Sequence, residues 1–223
     1  MRMAKFWMLV VPLFSAAIAF AADTTTNYPR NPVAGEKVWV NPAAEGEFTR
    51  ASFGIVCHSG MSVTMPKPEE VAKATERVGR CLRIGPISVG DTRATIEASL
   101  GRPIRSIPQP QDATADFYPV RWERLPDGQQ RLAVYWVIFF REGRTVAVQL
   151  TGDAYDGAVF SSVRLGDPAE KISARFGEPS SRQEVPSIGA TLWKYWSYPF
   201  TFEVKNGKVY SMQVREYRGP ANR

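Results

Sequence analysis

One phrase is written twice in this chain. The first copy is Ile87-Ser88-Val89-Gly90-Asp91-Thr92, then Ile96, then Leu100-Gly101-Arg102-Pro103; the second is Val163-Arg164-Leu165-Gly166-Asp167-Pro168, then Ile172, then Phe176-Gly177-Glu178-Pro179. Each matched position recurs after 76 residues, as Gly90 with Gly166 and Pro103 with Pro179. A fixed-offset repeat constrains architecture before any local reading does. It predicts two tandem units, 84–153 and 154–218, each opening on a short helix. Asp91 and Asp167 stand where an N-cap carboxylate would, Pro168 suits the first helical position, and Glu170 completes an Asp-x-x-Glu capping box. Ile96 with Leu100, and Ile172 with Phe176, lie one turn apart on the inward face. Gly101 and Gly177 are expected to be left-handed C-terminal caps, and Pro103 and Pro179 forbid continuation. Every residue of the phrase has a local structural reason, so none is read as catalytic.

Strands are expected after each helix. Arg131 to Arg141 alternates, with Leu132, Val134, Trp136, Ile138 and Phe140 on one face and Ala133, Tyr135, Val137 and Phe139 on the other. Both faces are apolar, which predicts a central, covered strand. Glu142-Gly143 turns the chain into Val146, Val148 and Leu150. Val120 and Trp122 mark an earlier strand, reached through a Pro/Gln-rich loop from Arg105 to Asp116, with a hairpin turn at Asp127-Gly128. After the second helix come Thr191 to Tyr198, Phe200 to Lys205, the strong turn signal Asn206-Gly207, and Val209 to Tyr217. Gly143 and Gly207 are 64 apart rather than 76, so the first unit carries 12 extra residues. The expected fold is α+β: two helix-plus-antiparallel-sheet units of three strands each, behind an irregular N-terminal segment.

Residues 1–21 read as a secretory signal peptide: Arg2 and Lys5, an apolar run from Phe6 to Phe20, and small residues at Ala19 and Ala21. The run is short of the roughly 20 apolar residues of a spanning helix, which favours cleavage over an uncleaved anchor. The chain is then periplasmic or secreted. No cysteine lies near the cleavage site, so no lipid anchor is expected, and membrane contact is peripheral at most. Of 223 residues with net charge +6, losing Arg2 and Lys5 leaves +4, without a basic block. A nucleic-acid partner needs a concentrated basic stripe and is disfavoured. Residues 22–50 are proline-rich and read as an extended or disordered lead, with Lys37 to Val40 able to dock as a short strand. Residues 51–83 hold a strand near Phe53 to Cys57 and a helix from Glu69 to Arg80. Cys57 and Cys81 favour a disulfide stapling these together; the rival reading is a metal site with His58, the only histidine.

The ordered set of Gly-Asp before a helix, Leu/Phe-Gly-x-Pro after it, an aromatic-rich strand and Phe202-x-x-x-Asn206-Gly207-Lys208-Val209 resembles the SmpA/OmlA small outer-membrane lipoprotein domain. Its doubling is similar to the architecture of the β-lactamase inhibitor protein family. The resemblance covers about residues 84 to 217. It implies a non-enzymatic envelope or secreted protein that binds a protein partner, as an assembly factor or an enzyme inhibitor, through its sheet surface. The outer-membrane members are lipid-anchored; this chain lacks the acceptor cysteine. The inhibitor's contact residues lie outside the shared motif and do not transfer.

Enzyme chemistry finds little to work with. A single histidine leaves no Ser-His-Asp or Cys-His set, and no phosphate loop, zinc motif or nucleotide fingerprint occurs, so no catalytic residue, metal or cofactor is expected. Asp153 and Asp156 form an acidic turn, read as solvated rather than as a calcium site or paired carboxylates. The remaining signal is an aromatic surplus on the strands. The candidate binding residues are Trp193 and Tyr195, with Trp122, Trp136 and Tyr210, because exposed Trp and Tyr are favoured anchors. The same rings would also serve a binder of a small ligand or a cell-wall glycan, or be wholly buried.

Overall fold

The computed structural model describes residues 46–51, 54–58, 79, 81–195 and 198–216. Two small hairpins come first: β1 (Glu47–Ala51) with β2 (Gly54–His58), and β3 (Arg83–Ile84) with β4 (Ile87–Ser88). Helix α1 (Arg93–Leu100) leads into β5 (Arg105–Gln109), β6 (Ala113–Arg124), β7 (Gln130–Arg141) and β8 (Arg144–Gly152). The hairpin β9 (Tyr155–Phe160) and β10 (Val163–Leu165) precedes helix α2 (Ala169–Phe176). Strands β11 (Ser181–Val185), β12 (Ala190–Lys194), β13 (Phe200–Lys205) and β14 (Lys208–Arg215) complete the described fold.

The expectation of two helix-plus-sheet units is overturned. All strands from β5 to β8 and β11 to β14 belong to one antiparallel sheet, in the order β11-β12-β13-β14-β8-β7-β6-β5. Among the described residues the fold is mostly β, with two helices of eight residues each described in full. The last strands of the two meanders pair, from Thr151 opposite Ser211 to Ala147 opposite Arg215. Separate sheets would leave each of these strands with an unpaired edge; joining removes both edges. The stretch from Arg105 to Asp116, expected as a loop, is instead the β5–β6 pair. Pro108 is tolerated there because β5 is the outermost strand. Four strands rather than three therefore follow each helix.

The repeated phrase does more than punctuate a helix. Asp91 does not cap α1: its carboxylate accepts from the Ser88 amide at 2.8 Å, and Thr92 is the cap, its hydroxyl accepting from the Thr95 amide. Asp167 likewise accepts from the Arg164 amide at 2.7 Å and pairs with Lys171, while Pro168 occupies the cap position without a side-chain bond. Both aspartates brace the turn three residues back. The backbone on either side of them grips a distant hairpin. Gly90 donates to the Thr145 carbonyl and Thr145 to Asp91; Gly166 donates to Val209 and Val209 to Asp167. Arg93 and Ala169, the first residues of the helices, donate to the turn carbonyls of Gly143 and Gly207. Gly101 and Gly177 do end the helices, but at φ 80° and 81° with ψ −160° and −171°, a region open essentially to glycine and distinct from the left-handed helical one.

The sheet has two unlike faces. Tyr118, Trp136, Leu150, Met212, Phe202 and Trp193 form one row across six strands. This face is covered by Phe48 of β1, Ile84, Ile87, Ile96 of α1, Phe160, Val163, Leu165, and Ile172 and Phe176 of α2 in one core. Around Phe200 the rings of Phe48, Phe160, Phe176, Tyr195, Tyr198 and Phe202 lie 5.0–6.0 Å away. Arg93 reaches from α1 to the fully buried Asp116, bonds Thr114 at 2.9 Å and lies 4.1 Å from the centre of the Phe140 ring. Cys57 and Cys81 are disulfide-bonded, with Cα atoms 5.9 Å apart, so no thiolate remains for the metal reading. The signal peptide, the lead up to residue 45 and nearly all of the expected helix Glu69–Arg80 lie outside the described residues.

Candidate functional site

The second face of the sheet contributes nothing to that core cluster, although Ala115, Val137, Thr151 and Ser211 on it are buried. It is built from the alternate residues of the same strands. One row reads Phe117, Val137, Gln149, Gln213, Thr201 and Lys194. The next reads Tyr135, Thr151, Ser211, Glu203 and Leu192. Phe139 stands with Ala115 and Ala147 on the far side of the first row. The rings of Phe117 and Tyr135 stack at 6.3 Å. Thus β6 and β7 supply a flank of half-buried rings, Phe117, Tyr135 and Phe139, around the buried Ala115 and Val137, and β8 and β14 supply a largely buried polar strip.

The strip is hydrogen-bonded within itself. Thr151 and Ser211 share a bond of 2.9 Å; the Gln149 amide donates to both hydroxyls, at 3.0 and 2.9 Å, and Gln213 donates to Gln149 at 3.1 Å. Its hydroxyls are nearly spent on one another, which makes the strip a rigid floor. A bulge in β13–β14 places Glu203 opposite Ser211 and Val204 opposite Val209, leaving Tyr210 as the extra residue. Burial raises the Glu203 carboxyl above its ordinary value, and the Ser211 hydroxyl bonded to it opposes that shift. Burial also raises the Tyr135 phenol to about 12, with Tyr210 and Glu203 adding to it. Tyr210 is raised too, by burial and then by Glu203 and Asp153. These three side chains lie within electrostatic reach of one another on a partly dehydrated surface.

The residues singled out from the sequence do not assemble on one surface. Trp136 and Tyr195 are buried in the core, the Tyr195 hydroxyl donating to the Gly177 carbonyl at 3.0 Å. Neither has surface to offer a partner. Trp193 points to the core side and is half-buried beneath the Arg182 guanidinium, 4.6 Å from its ring centre. Trp122 is 49 % exposed near the end of the β6–β7 hairpin. Tyr210 alone joins the second face. Tyr195, Tyr198, Phe200 and Phe202 are core material instead, in an aromatic cluster with Phe176 of α2. Phe117, Tyr135, Val137, Phe139, Gln149, Thr151, Glu203, Ser211 and Gln213 went unselected. A readable signal existed: β8 and β14 alternate polar with apolar residues, Gln149 and Thr151 against Val148 and Leu150, Ser211 and Gln213 against Met212 and Val214. β7, expected to be central and covered, is buried on both faces, at Ala133 and Val137 as well as at Val134, Trp136 and Ile138, and its second face lies beside that polar strip.

Asp153 pairs with Arg131, its carboxylate accepting at 2.6 Å, and Asp156 is exposed on β9. No group of three or more metal-ligating side chains occurs among the described residues.

No family model matches the chain, and no curated protein does. The resemblance to the SmpA/OmlA domain therefore stands on its motif residues alone. Among solved structures, a cysteine-rich secretory protein from Staphylococcus aureus is 15% identical over 60% of this chain and 49% of its own, with a TM-score of 0.38. An extracellular SCP-domain protein from Bacillus anthracis is 10% identical over 57% and 44%, at 0.41. A Streptococcus mutans protein provisionally named as a β-lactamase inhibitor protein is 13% identical over 68% and 99%, at 0.24. The chain spans about half the length of the first two. Likeness at this level carries no argument about function.

Proposed function

We propose that this is an exported, non-enzymatic protein-binding module whose working surface is the second face of the eight-stranded sheet. The supporting observation is the asymmetry of that sheet: both helices and the small hairpins pack into the core on one side, while the other carries the half-buried Phe117, Tyr135 and Phe139 beside a hydrogen-bonded polar strip. A rigid surface of aromatic rings flanking satisfied polar groups is what a protein interface needs, because its anchors lose little entropy on binding and its floor needs no rearrangement. The disulfide fits an oxidising compartment and hence export. The test is affinity capture from periplasmic and secreted fractions with the parent protein and with the pair Tyr135→Ser and Phe139→Ser. A partner held by the parent, lost by the pair and retained by Trp122→Ala supports the reading. Capture unchanged by the pair overturns it. Calorimetric binding of cell-wall fragments, with no protein captured, would favour the glycan-binding alternative.

A further inference from the structure

The sheet ends on two outer strands, β5 and β11, and they are built unlike each other. An outer strand presents amides and carbonyls that another chain can pair with, and proteins guard such edges with proline, bulges or lysine. β5 is guarded, because Pro108 within it has no amide to donate. β11, Ser181-Arg182-Gln183-Glu184-Val185, carries neither proline nor lysine. It runs in unbroken register with β12, from Ser181 opposite Lys194 to Val185 opposite Ala190. Among the described residues no strand lies on its outer side. Arg182, Gln183 and Glu184 are exposed, yet each is held in place from within the molecule. Arg182 pairs with Glu178 at 2.6 Å and lies 4.6 Å from the centre of the Trp193 ring. Glu184 accepts from the Thr191 hydroxyl at 3.0 Å, and Gln183 from the Lys194 ammonium at 2.8 Å.

We propose that β11 is a dimerisation edge, and that its occupant is β11 of a second copy of this chain, antiparallel about a two-fold axis through Gln183. The strand's own sequence selects that occupant. In this register Arg182 stands opposite the partner's Glu184 and Glu184 opposite the partner's Arg182, so two unlike charge pairs close by symmetry. It is also the one register in which all five residues of both strands pair. Sliding by two residues sets Arg182 against Arg182 in one direction and Glu184 against Glu184 in the other; sliding by one leaves both charges opposite uncharged side chains. Pro179 and Pro186 bracket the strand and keep the ladder from lengthening into another register. β5 has no such match: pairing with itself about Ile107 sets Pro108 opposite Ser106 and Arg105 opposite Gln109. The pairing joins two sheets edge to edge with the helices of both copies on one side. A five-residue ladder buries little surface, so the dimer is weak and depends on concentration. The edge is distinct from the second face and does not rest on that face binding a partner.

The test is sedimentation equilibrium of the exported chain over a concentration series at low salt, with amide hydrogen exchange measured alongside. The parent is expected to dimerise reversibly. Exchange within Ser181–Val185 is expected to slow as concentration rises, while exchange within Arg105–Gln109 does not. Arg182→Glu sets like charges against each other twice per dimer and is expected to weaken association about tenfold or more. Combining it with Glu184→Arg restores unlike pairs in the reverse sense and is expected to recover association, which loss of the Glu178 pair or the Trp193 contact alone would not allow. Far-ultraviolet circular dichroism checks that both variants remain folded. A parent that stays monomeric throughout, a dimer whose β11 amides exchange at the monomer rate, association unchanged by Arg182→Glu, or no recovery in the double variant overturns the proposal. So does a monomeric parent that captures another protein and loses it on Arg182→Glu, which would assign the edge to a foreign strand.

Discussion

Burial lifts the Glu203 carboxyl above its ordinary value of 4.5, against the opposing bond from Ser211. The folded state therefore holds this proton more tightly than the unfolded state does. The stability that Glu203 contributes is present below the ordinary value and is lost as pH rises through the raised one. Glutamine keeps the shape and can still accept from Ser211, but carries no charge. Glu203→Gln is thus expected to unfold at higher urea than the parent at neutral pH, with the gap closing in acid below the ordinary carboxylate range. A variant less stable than the parent at neutral pH contradicts this. A residue that lowers stability while presenting a charge is what a binding role predicts. The glycines tell a parallel story. Gly152 has φ 136°, and a Cβ there would lie 2.0 Å from the Ala133 carbonyl oxygen, so the end of β8 admits no side chain. The sequence around Gly152 reads only as a turn; the close approach of β7 is a tertiary fact.

The hairpin turns divide into legible and illegible ones. Glu142-Gly143 and Asn206-Gly207 each pair positive-φ residues, at 50° and 72° and at 51° and 71°, as a two-residue turn of a twisted hairpin requires. Glycine at the second position makes both readable. The turn between β9 and β10 uses Ser161 and Ser162 at φ 47° and 72°, with no glycine, and so was missed. Its side chains explain the choice. The Ser161 hydroxyl accepts from the buried Phe48 amide at 2.8 Å, and the Ser162 hydroxyl donates to the Glu47 carboxylate at 3.0 Å. The turn docks β1, placing Phe48 in the aromatic core. Ser161→Gly relieves the backbone but leaves a buried amide unpaired; it is expected to destabilise by about 1–2 kcal/mol, read from the shift of the urea midpoint. No loss of stability would show that Ser161 does not hold β1.

Two independent units would unfold separately, whereas one sheet should not. The seam lies between β14 and β8, the two central strands of eight, and the core above it draws on β1, α1, β9, β10 and α2 together. Neither meander can lose its strands without exposing the apolar face and the edge of the other. A single urea transition is expected, coincident by far-ultraviolet circular dichroism and by tryptophan fluorescence. Trp122 and Trp136 report from β6 and β7, and Trp193 from β12, so both ends of the sheet are visible. Two resolved transitions would restore the picture of separate units.

What the sequence determined by itself is local. Helix stops at Gly101 and Gly177, the strands β7, β13 and β14, the turns at Asp127-Gly128, Glu142-Gly143 and Asn206-Gly207, and the Cys57–Cys81 pairing all follow from residue type and spacing. What only the tertiary structure decided is which strands meet and on which side of the sheet the helices and small hairpins pack. Antiparallel partners are chosen by edges that no local pattern encodes, so the joining of β8 to β14 was not readable. The same is true of Asp91 and Asp167: their caps were plausible from three residues of context, but their neighbours grip a hairpin more than 40 residues away. The candidate site stayed hidden for the same reason. Aromatic character marks burial and binding alike, and only the side on which the helices and small hairpins pack separates Tyr195 in the core from Tyr135 on the second face.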